Sequence, residues 1–272
     1  MDEKGIGVVL EGGGVKGAYH VGALKAFEEA GFEFSGYAGT SIGALNAAQL
    51  CQTDLKTLTE IWENVVTTTI YDIDQELIDK YKESGFSMDF VKAAIKKRKN
   101  FKEYYKGTQV NMYDFIHGHL VEEELRNSPK DLGFVTFCIS TWKGVEMMKE
   151  EVPNGRLVDF VEASAAFPAF PAKEIDGKKY IDGGAWDNCP INLFARNGYR
   201  KMVVIRTGTK DLKRDIERKD LKLLCVVPKA ELGKTMEFDA GIIERDIKLG
   251  YEDAKSVFAF WLQFDLWNDW FY

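Results

Sequence analysis

Ile6-Gly7-Val8-Val9-Leu10-Glu11-Gly12-Gly13-Gly14 is an apolar run of strand length that ends in three consecutive glycines. An uninterrupted apolar strand suits a parallel sheet covered on both faces. Downstream, Ala18, Val21, Leu24, Ala26 and Phe27 share one face of a helix that Gly31 stops. A second strand near Gly36-Tyr37-Ala38-Gly39 runs directly into a small-residue helix, Ile42-Gly43-Ala44-Leu45-Asn46-Ala47-Ala48. Strand, helix, strand, helix predicts an α/β fold with a mostly parallel central sheet. Of the 25 glycines, 11 lie within residues 1 to 43, so close backbone approaches concentrate there.

The rest of the chain extends this pattern. Residues 53 to 66 read as a helix capped by Thr53 or Asp54 and burying Leu55, Leu58, Ile61, Trp62 and Val65. From about 70 to 131 the sequence changes to short helical pieces rich in Lys, Glu and Tyr, predicting a lid or side-wall insertion. Phe134 to Thr141 and Val145 to Val152 predict a hairpin around Trp142-Lys143-Gly144, and Lys173 to Ile181 a second one turned by Asp176-Gly177. Lys201 to Ile205 and Leu221 to Val227 predict two more strands, and Asp239 caps a long closing helical segment, 239 to 272. No repeat or linker interrupts the chain, so one domain over 1–272 is expected.

Composition excludes several classes. With 45% hydrophobic and 29% charged residues the chain is that of a globular protein with a large core. Lys plus Arg number 36 against 43 Asp plus Glu, and a net charge of −7 disfavours nucleic acid as a partner. No stretch approaches the roughly 18 apolar residues of a membrane span, and Met1-Asp2-Glu3-Lys4 lacks an apolar signal core, which predicts a cytoplasmic protein. Cys51, Cys138, Cys189 and Cys225 lie far apart without a Cys-x-x-Cys pair, so neither a zinc site nor a redox couple is indicated. Two local features stand out. Lys96-Lys97-Arg98-Lys99 with Phe101, Lys102, Tyr104, Tyr105 and Lys106 forms a basic, aromatic patch, either a solvated helix face or a peripheral contact with anionic membrane. In the tail, Phe260, Phe264, Trp267 and Phe271 recur on one helical stripe, with Val257 and Trp261 beside it, expected to pack on the domain, with interfacial insertion or a dimer contact as the alternatives.

Gly39-Thr40-Ser41-Ile42-Gly43 is a Gly-x-Ser-x-Gly at the end of a predicted strand and the start of a predicted helix, the context of a nucleophile elbow. The helix opening at Ile42 directs its positive end toward Ser41. Gly12-Gly13-Gly14-Val15-Lys16-Gly17 admits two uses. As Gly-x-Gly-x-x-Gly it matches a dinucleotide fingerprint, with Glu33 near the place of a ribose-binding acid. Alternatively the amides of Gly13, Gly14 and Val15 form an oxyanion hole beside Ser41, a reading that also accounts for the elbow on the next strand. Lys16 either adds positive charge there or is a solvated lysine at a helix start. His20, His117 and His119 offer no convincing base and read as structural or surface residues. Asp182 in Asp182-Gly183-Gly184, with Pro168, Pro171 and Pro190 around it, is the better candidate, against an ordinary Asp-Gly turn. As a base it would need desolvation to raise its pKa.

With these elements in order, the chain resembles the patatin-like phospholipases. Glu11 to Gly17 is similar to the family's glycine-rich oxyanion motif, Gly39 to Gly43 to its nucleophile elbow, and Asp182-Gly183-Gly184 to its aspartate motif. Ala163-Ser164-Ala165-Ala166-Phe167-Pro168 resembles the Ala-Ser-x-Ala-x-Pro block that precedes the aspartate. Glu11 stands where many relatives have Asp, and Lys16 where Arg is common. The resemblance implies a three-layer α/β/α fold, a Ser41–Asp182 dyad that works without histidine, and hydrolysis of lipid acyl esters with no metal or cofactor. The substrate it implies is a phospholipid, lysophospholipid or related ester. An acyltransferase using the same dyad and a non-catalytic lipid-binding or partner-binding module remain as alternatives.

Overall fold

The computed structural model describes residues 4–64, 80, 87–98, 119–168, 171–208, 211–235 and 239–263. The buried apolar run Ile6–Leu10 forms β1, and the glycines after it turn through a single 3₁₀ stretch, Gly14–Gly17, into α1, Ala18–Glu29. Gly31, at φ +82°, ends that helix. β2, Phe34–Thr40, leads straight into α2, Ile42–Gln52, and α3, Leu55–Asn64, follows. Asp54 caps α3, its Oδ1 accepting from the Thr57 amide at 2.7 Å.

The remaining elements are α4 (Met88–Arg98), α5 (Glu122–Asn127), β3 (Asp131–Cys138), β4 (Lys143–Met148), α6 (Leu157–Ser164), β5 (Lys173–Ile175) and β6 (Lys178–Asp182). They are followed by α7 (Ile191–Arg196), β7 (Lys201–Ile205), β8 (Lys222–Val226) and α8 (Ala240–Gln263). Both hairpins form as expected, with Trp142 (φ 53°) and Asp176 (φ 49°) in the turns. The first lies a few residues earlier than its apolar pattern suggested, because β3 begins where it pairs with β2, Asp131 opposite Gly36.

The strands make one eight-stranded sheet in the order β5-β6-β3-β2-β1-β7-β8, with β4 also on β3. β3, β2, β1, β7 and β8 are mutually parallel neighbours, and β4, β5 and β6 add antiparallel pairs. One face, with Val8, Leu10, Leu132, Phe134, Val203 and Ile205, packs under α1, α2, α3, α6 and α8. The other, with Val9, Ala38, Met202 and Val204, is covered by α7, and α4 closes over Phe137 and Ile181. The fold is the expected α/β/α sandwich about a mostly parallel sheet.

The chain runs outward from β1 to β2 and β3, then returns to β7 on the other side of β1. The glycine loop after β1 therefore lies at the switch point, where open α/β sheets hold their ligands. α8 packs on α1 through Phe258, whose ring centroid is 4.7 Å from that of Phe27 and 6.0 Å from that of Phe32. Phe260, assigned to the covered stripe from the sequence, is 55% exposed, so the helix turns a neighbouring residue inward. The tail from 264, most of the basic patch and much of the predicted insertion lie outside the described residues. No helix among the described residues is long and apolar enough to cross a membrane.

Candidate active site

Ser41 stands where β2 gives way to α2, at φ 57° and ψ −127°. A serine in the positive-φ region is strained and persists only when its surroundings fix it. Here its carbonyl accepts from the amides of Ala44 (2.9 Å) and Leu45 (3.2 Å), and its own amide donates to Ser164 Oγ at 3.0 Å. The two flanking glycines are sterically required. A Cβ on Gly39 would run into the Gly43 backbone, and one on Gly43 into the Leu10 carbonyl. Ala44 and Leu45 spend their amides on Ser41, which leaves those of Ile42 and Gly43 at the open end of α2.

Asp182 is brought to the same place by the sheet. β4 occupies one edge of β3, and along the other edge β2 ends at Thr40 opposite Val135, where β6 ends at Asp182 opposite Thr136. β2 runs parallel to β3 and β6 antiparallel, so the carboxyl ends of the two strands meet head to head. Ser41 and Asp182 sit at that junction. Residues 163–168 tie them together: Ser164 takes the Ser41 amide, and the Ala166 carbonyl accepts from the Asp182 amide at 2.8 Å. Asp182 Oδ1 accepts from the Gly184 amide at 2.7 Å. Gly183 lies so close to the Val135 carbonyl that a side chain there would collide with it.

The carboxyl of Asp182 is 1% exposed, and burial pushes its pKa up to about 7, against smaller opposing effects of the Ser41 hydroxyl, the Gly184 amide and the Lys213 ammonium. Oδ2 has no hydrogen bond of ordinary geometry among the described residues. The Ser41 hydroxyl is therefore near enough to favour the ionised form without closing a full bond. A buried carboxyl titrating near neutrality beside a strained serine is the pairing that proton abstraction needs.

The glycine loop is bolted over this junction. Glu11 Oε2 accepts from the Thr207 amide (2.7 Å) and Arg206 Nε (3.0 Å), fixing the end of β1 to the end of β7. The Gly12 amide donates to the Asn188 carbonyl at 3.0 Å, and Asn188 Nδ2 returns a bond to the Gly12 carbonyl at 3.1 Å. A Cβ on Gly12 would lie 3.2 Å from that of Ser41. No hydrogen bond of the Gly13 or Gly14 amide is found among the described residues. The expectation for Val15 needs correction: its amide donates to the Thr235 carbonyl at 3.0 Å and is already spent in this conformation. Lys16 is half-buried, its amide 3.4 Å from the Gly13 carbonyl, while the Gly17 carbonyl accepts from Asn46 Nδ2 at 3.1 Å.

His20 bonds Asn46 and not Ser41 among the described residues. It is fully buried in α1 with Nδ1 3.2 Å from Asn46 Nδ2, and burial pushes its pKa down to about 3. The nearby Glu11 backbone opposes that shift slightly, although Nε2 closes no hydrogen bond of ordinary geometry among the described residues. His119 lies beyond α3, next to α5, and His117 lies outside the described residues. Glu33 is exposed and precedes the amino end of β2, the opposite end of the sheet from the glycine loop, so the dinucleotide reading fails on geometry. Among the described residues no group of three or more His, Cys, Asp and Glu gathers as a metal ion would require.

Nothing local to Ser164, within Ala163-Ser164-Ala165-Ala166-Phe167-Pro168, marks its role. Its use depends on a partner 123 positions away.

A patatin-like phospholipase family model matches residues 8–195. Among curated proteins, a patatin-like phospholipase domain-containing protein of Caenorhabditis elegans is 28% identical over 211 residues, covering 75% of this chain and 14% of that protein. The Escherichia coli K12 protein YjjU is 27% identical over 218 residues, 74% of this chain and 52% of its own length. Lysophospholipase NTE1 of Cryptococcus neoformans is 24% identical over 209 residues, 76% of this chain and 11% of NTE1. The chain thus spans about half or less of the length of these relatives. Among solved structures, VipD of Legionella pneumophila has a TM-score of 0.53 at 15% identity, covering 93% of this chain and 66% of that one. Human group IVD cytosolic phospholipase A2, solved with methyl γ-linolenyl fluorophosphonate, has a TM-score of 0.50 at 12% identity, covering 94% of this chain and 58% of that one.

Proposed function

This chain belongs to the patatin-like phospholipase family, and we propose that it is a serine acyl hydrolase that cleaves carboxylic esters of phospholipids or lysophospholipids through a Ser41–Asp182 dyad. Asp182 takes the proton of the Ser41 hydroxyl as Oγ attacks the ester carbonyl. The Gly13 and Gly14 amides, with that of Ile42 at the positive end of α2, receive the oxyanion. Collapse of the tetrahedral adduct expels the alcohol, which leaves with the proton from Asp182, and an acyl ester remains on Ser41. Water then attacks that ester and gives its proton to Asp182. The fatty acid leaves and the proton returns to Ser41 Oγ.

The observation that carries this reading is the head-to-head meeting of β2 and β6 on β3, which sets a strained serine against a buried carboxyl with a pKa of about 7. A general base is most effective when its pKa lies near the working pH. The lysophospholipase among the relatives supports the substrate class. Such substrates lie in lipid aggregates, so contact with a membrane surface would be peripheral.

The test is a panel of lipid esters assayed with product identification, with and without added glycerol as a competing acceptor. The native protein should release fatty acid and be labelled at Ser41 by a fluorophosphonate, and Ser41→Ala should abolish both while keeping the fold. Full activity in Ser41→Ala, or labelling at another serine, would refute the assignment. Acyl glycerol as the main product would make the protein a transferase on the same dyad.

A further inference from the structure

Residues 211–217, between β7 and β8, are pinned alongside the Asp182 loop by contacts at several positions. The Arg214 guanidinium lies 4.3 Å from the centroid of the Trp186 ring. Asn192 donates through Nδ2 to the Asp215 carbonyl (2.8 Å) and accepts through Oδ1 from the Glu217 amide (3.0 Å). Arg196 pairs with Glu217 at 3.0 Å. Lys213 stands in the middle of this segment, and its Nζ donates to the Gly184 carbonyl at 2.5 Å. Gly184 is the residue whose amide caps Asp182 Oδ1.

We propose that Lys213 is a positioning residue of the active site: its ammonium grips the carbonyl of Gly184, the residue whose amide caps Asp182, and sets a positive charge beside that carboxyl. The inference rests on the dyad reading above. A lysine makes sense here because burial disfavours the charged form of a carboxyl and a nearby cation offsets part of that penalty. Asp182 faces Ser41, the Gly184 amide and Lys213. Lys213 in turn faces Asp182 and Asp187, and Asp187 faces Glu146, Arg196 and Arg214. Burial pushes Lys213 down to about 8 while both aspartates hold it up, so it carries its charge at neutral pH and loses it in mild alkali.

The direction of the effect is fixed. Lys213 favours ionised Asp182, so removing its charge raises the Asp182 pKa and moves the acid limb of activity to higher pH. With one opposite charge nearby, the displacement should be about one pH unit. The experiment is the pH profile of kcat/KM on p-nitrophenyl butyrate for the full chain and for Lys213→Met and Lys213→Arg, alongside carbon-13 titration of the Asp182 carboxyl. Lys213→Met should shift both the acid limb and the carboxyl titration upward and lose several-fold in rate at pH 7. Lys213→Arg should restore both. A folded Lys213→Met with an unmoved carboxyl titration overturns the proposal.

The carboxyl titration does not depend on turnover, so it separates the two ideas. If it shifts in a protein that hydrolyses no ester, the dyad function fails and the pairing stands. If ester hydrolysis is intact and the titration stays put, the inference alone fails. Should Lys213→Met not fold, the pair is read from its other side. In Asp182→Asn the Lys213 pKa, followed by the nitrogen-15 shift of Nζ, should fall, and an unchanged value overturns the proposal.

Discussion

Replacing Asp182 by Asn should remove activity yet make the protein more stable, by a margin that grows with pH. Asp182 is buried and its pKa is raised from 3.8 to about 7, chiefly by desolvation. Between those values the folded protein holds a proton that the unfolded chain has lost, so folded stability falls as pH rises through that window. Above pH 7 the folded state carries the full cost of an ionised buried carboxylate. A shift of about three units corresponds to about 4 kcal/mol, an upper limit because the surroundings relax around the charge. Asparagine keeps an oxygen for the Gly184 amide, 2.7 Å from Oδ1, and cannot ionise. The stability difference between Asp182→Asn and the native chain should be near zero at pH 4 and approach that limit at pH 8, a rise in Tm of roughly 10 °C. Urea unfolding and thermal melts at the two pH values measure it. A difference that is flat across this range, or a variant less stable at pH 8, would refute the claim that burial sets the carboxyl.

Other substitutions test separate parts of the structure. Ser164→Ala leaves the Ser41 amide without its acceptor at 3.0 Å, which should cost about 1–3 kcal/mol and lower kcat about tenfold with KM little changed. A native kcat would deny Ser164 its hold on the elbow. His20 is kept neutral by burial, with its pKa lowered from 6.5 to about 3, so the native fold loses up to about 5 kcal/mol as pH falls through that window. His20→Gln should retain activity and, in acid titrations followed by circular dichroism, show a shallower loss than the native chain; an equally steep loss assigns acid sensitivity elsewhere. Phe258→Ala should cost about 3 kcal/mol by emptying the contact with Phe27, whereas Phe260→Ala, at a half-exposed position, should cost less. Equal melting temperatures for the two variants would contradict the phase of α8.

The elements most legible in the sequence are those whose cause is local. β1 and β7 are apolar runs buried on both faces, Asp176-Gly177 supplies the two positive-φ residues its turn needs, and Gly31 ends α1 by the same freedom. The elbow was legible because Gly39 and Gly43 make room for backbone within a few residues of Ser41 and at the end of β1. What the sequence hid is non-local. The apolar pattern of β3 starts at Phe134, but the strand starts at Asp131 because β2 pairs with it there. Val15 has a free amide in any local reading, and only the fold brings the Thr235 carbonyl to it. Lys213 in Asp211-Leu212-Lys213-Arg214 looks like one solvated lysine among many. Nothing in those four residues announces Gly184, 29 positions earlier.

The sheet topology also supports the proposed dyad, in which a serine would work without a histidine. In a triad, imidazole brings a pKa near neutrality and an aspartate only orients it and balances its charge. Here β6 enters antiparallel to β3 and ends against the end of β2, so in the proposed dyad the carboxyl stands at the elbow without an intermediary. An exposed aspartate in that position would be too weak a base, with a pKa near 4. Desolvation raises it to about 7, which in the proposed dyad would supply by burial what imidazole supplies by its chemistry. Because burial carries an energetic penalty once the carboxyl ionises, its surroundings must be held firmly. The bonds from Ser164 to the Ser41 amide, from the Asp182 amide to Ala166 and from Lys213 to Gly184 hold the elbow, the carboxyl and its cap in that closed arrangement.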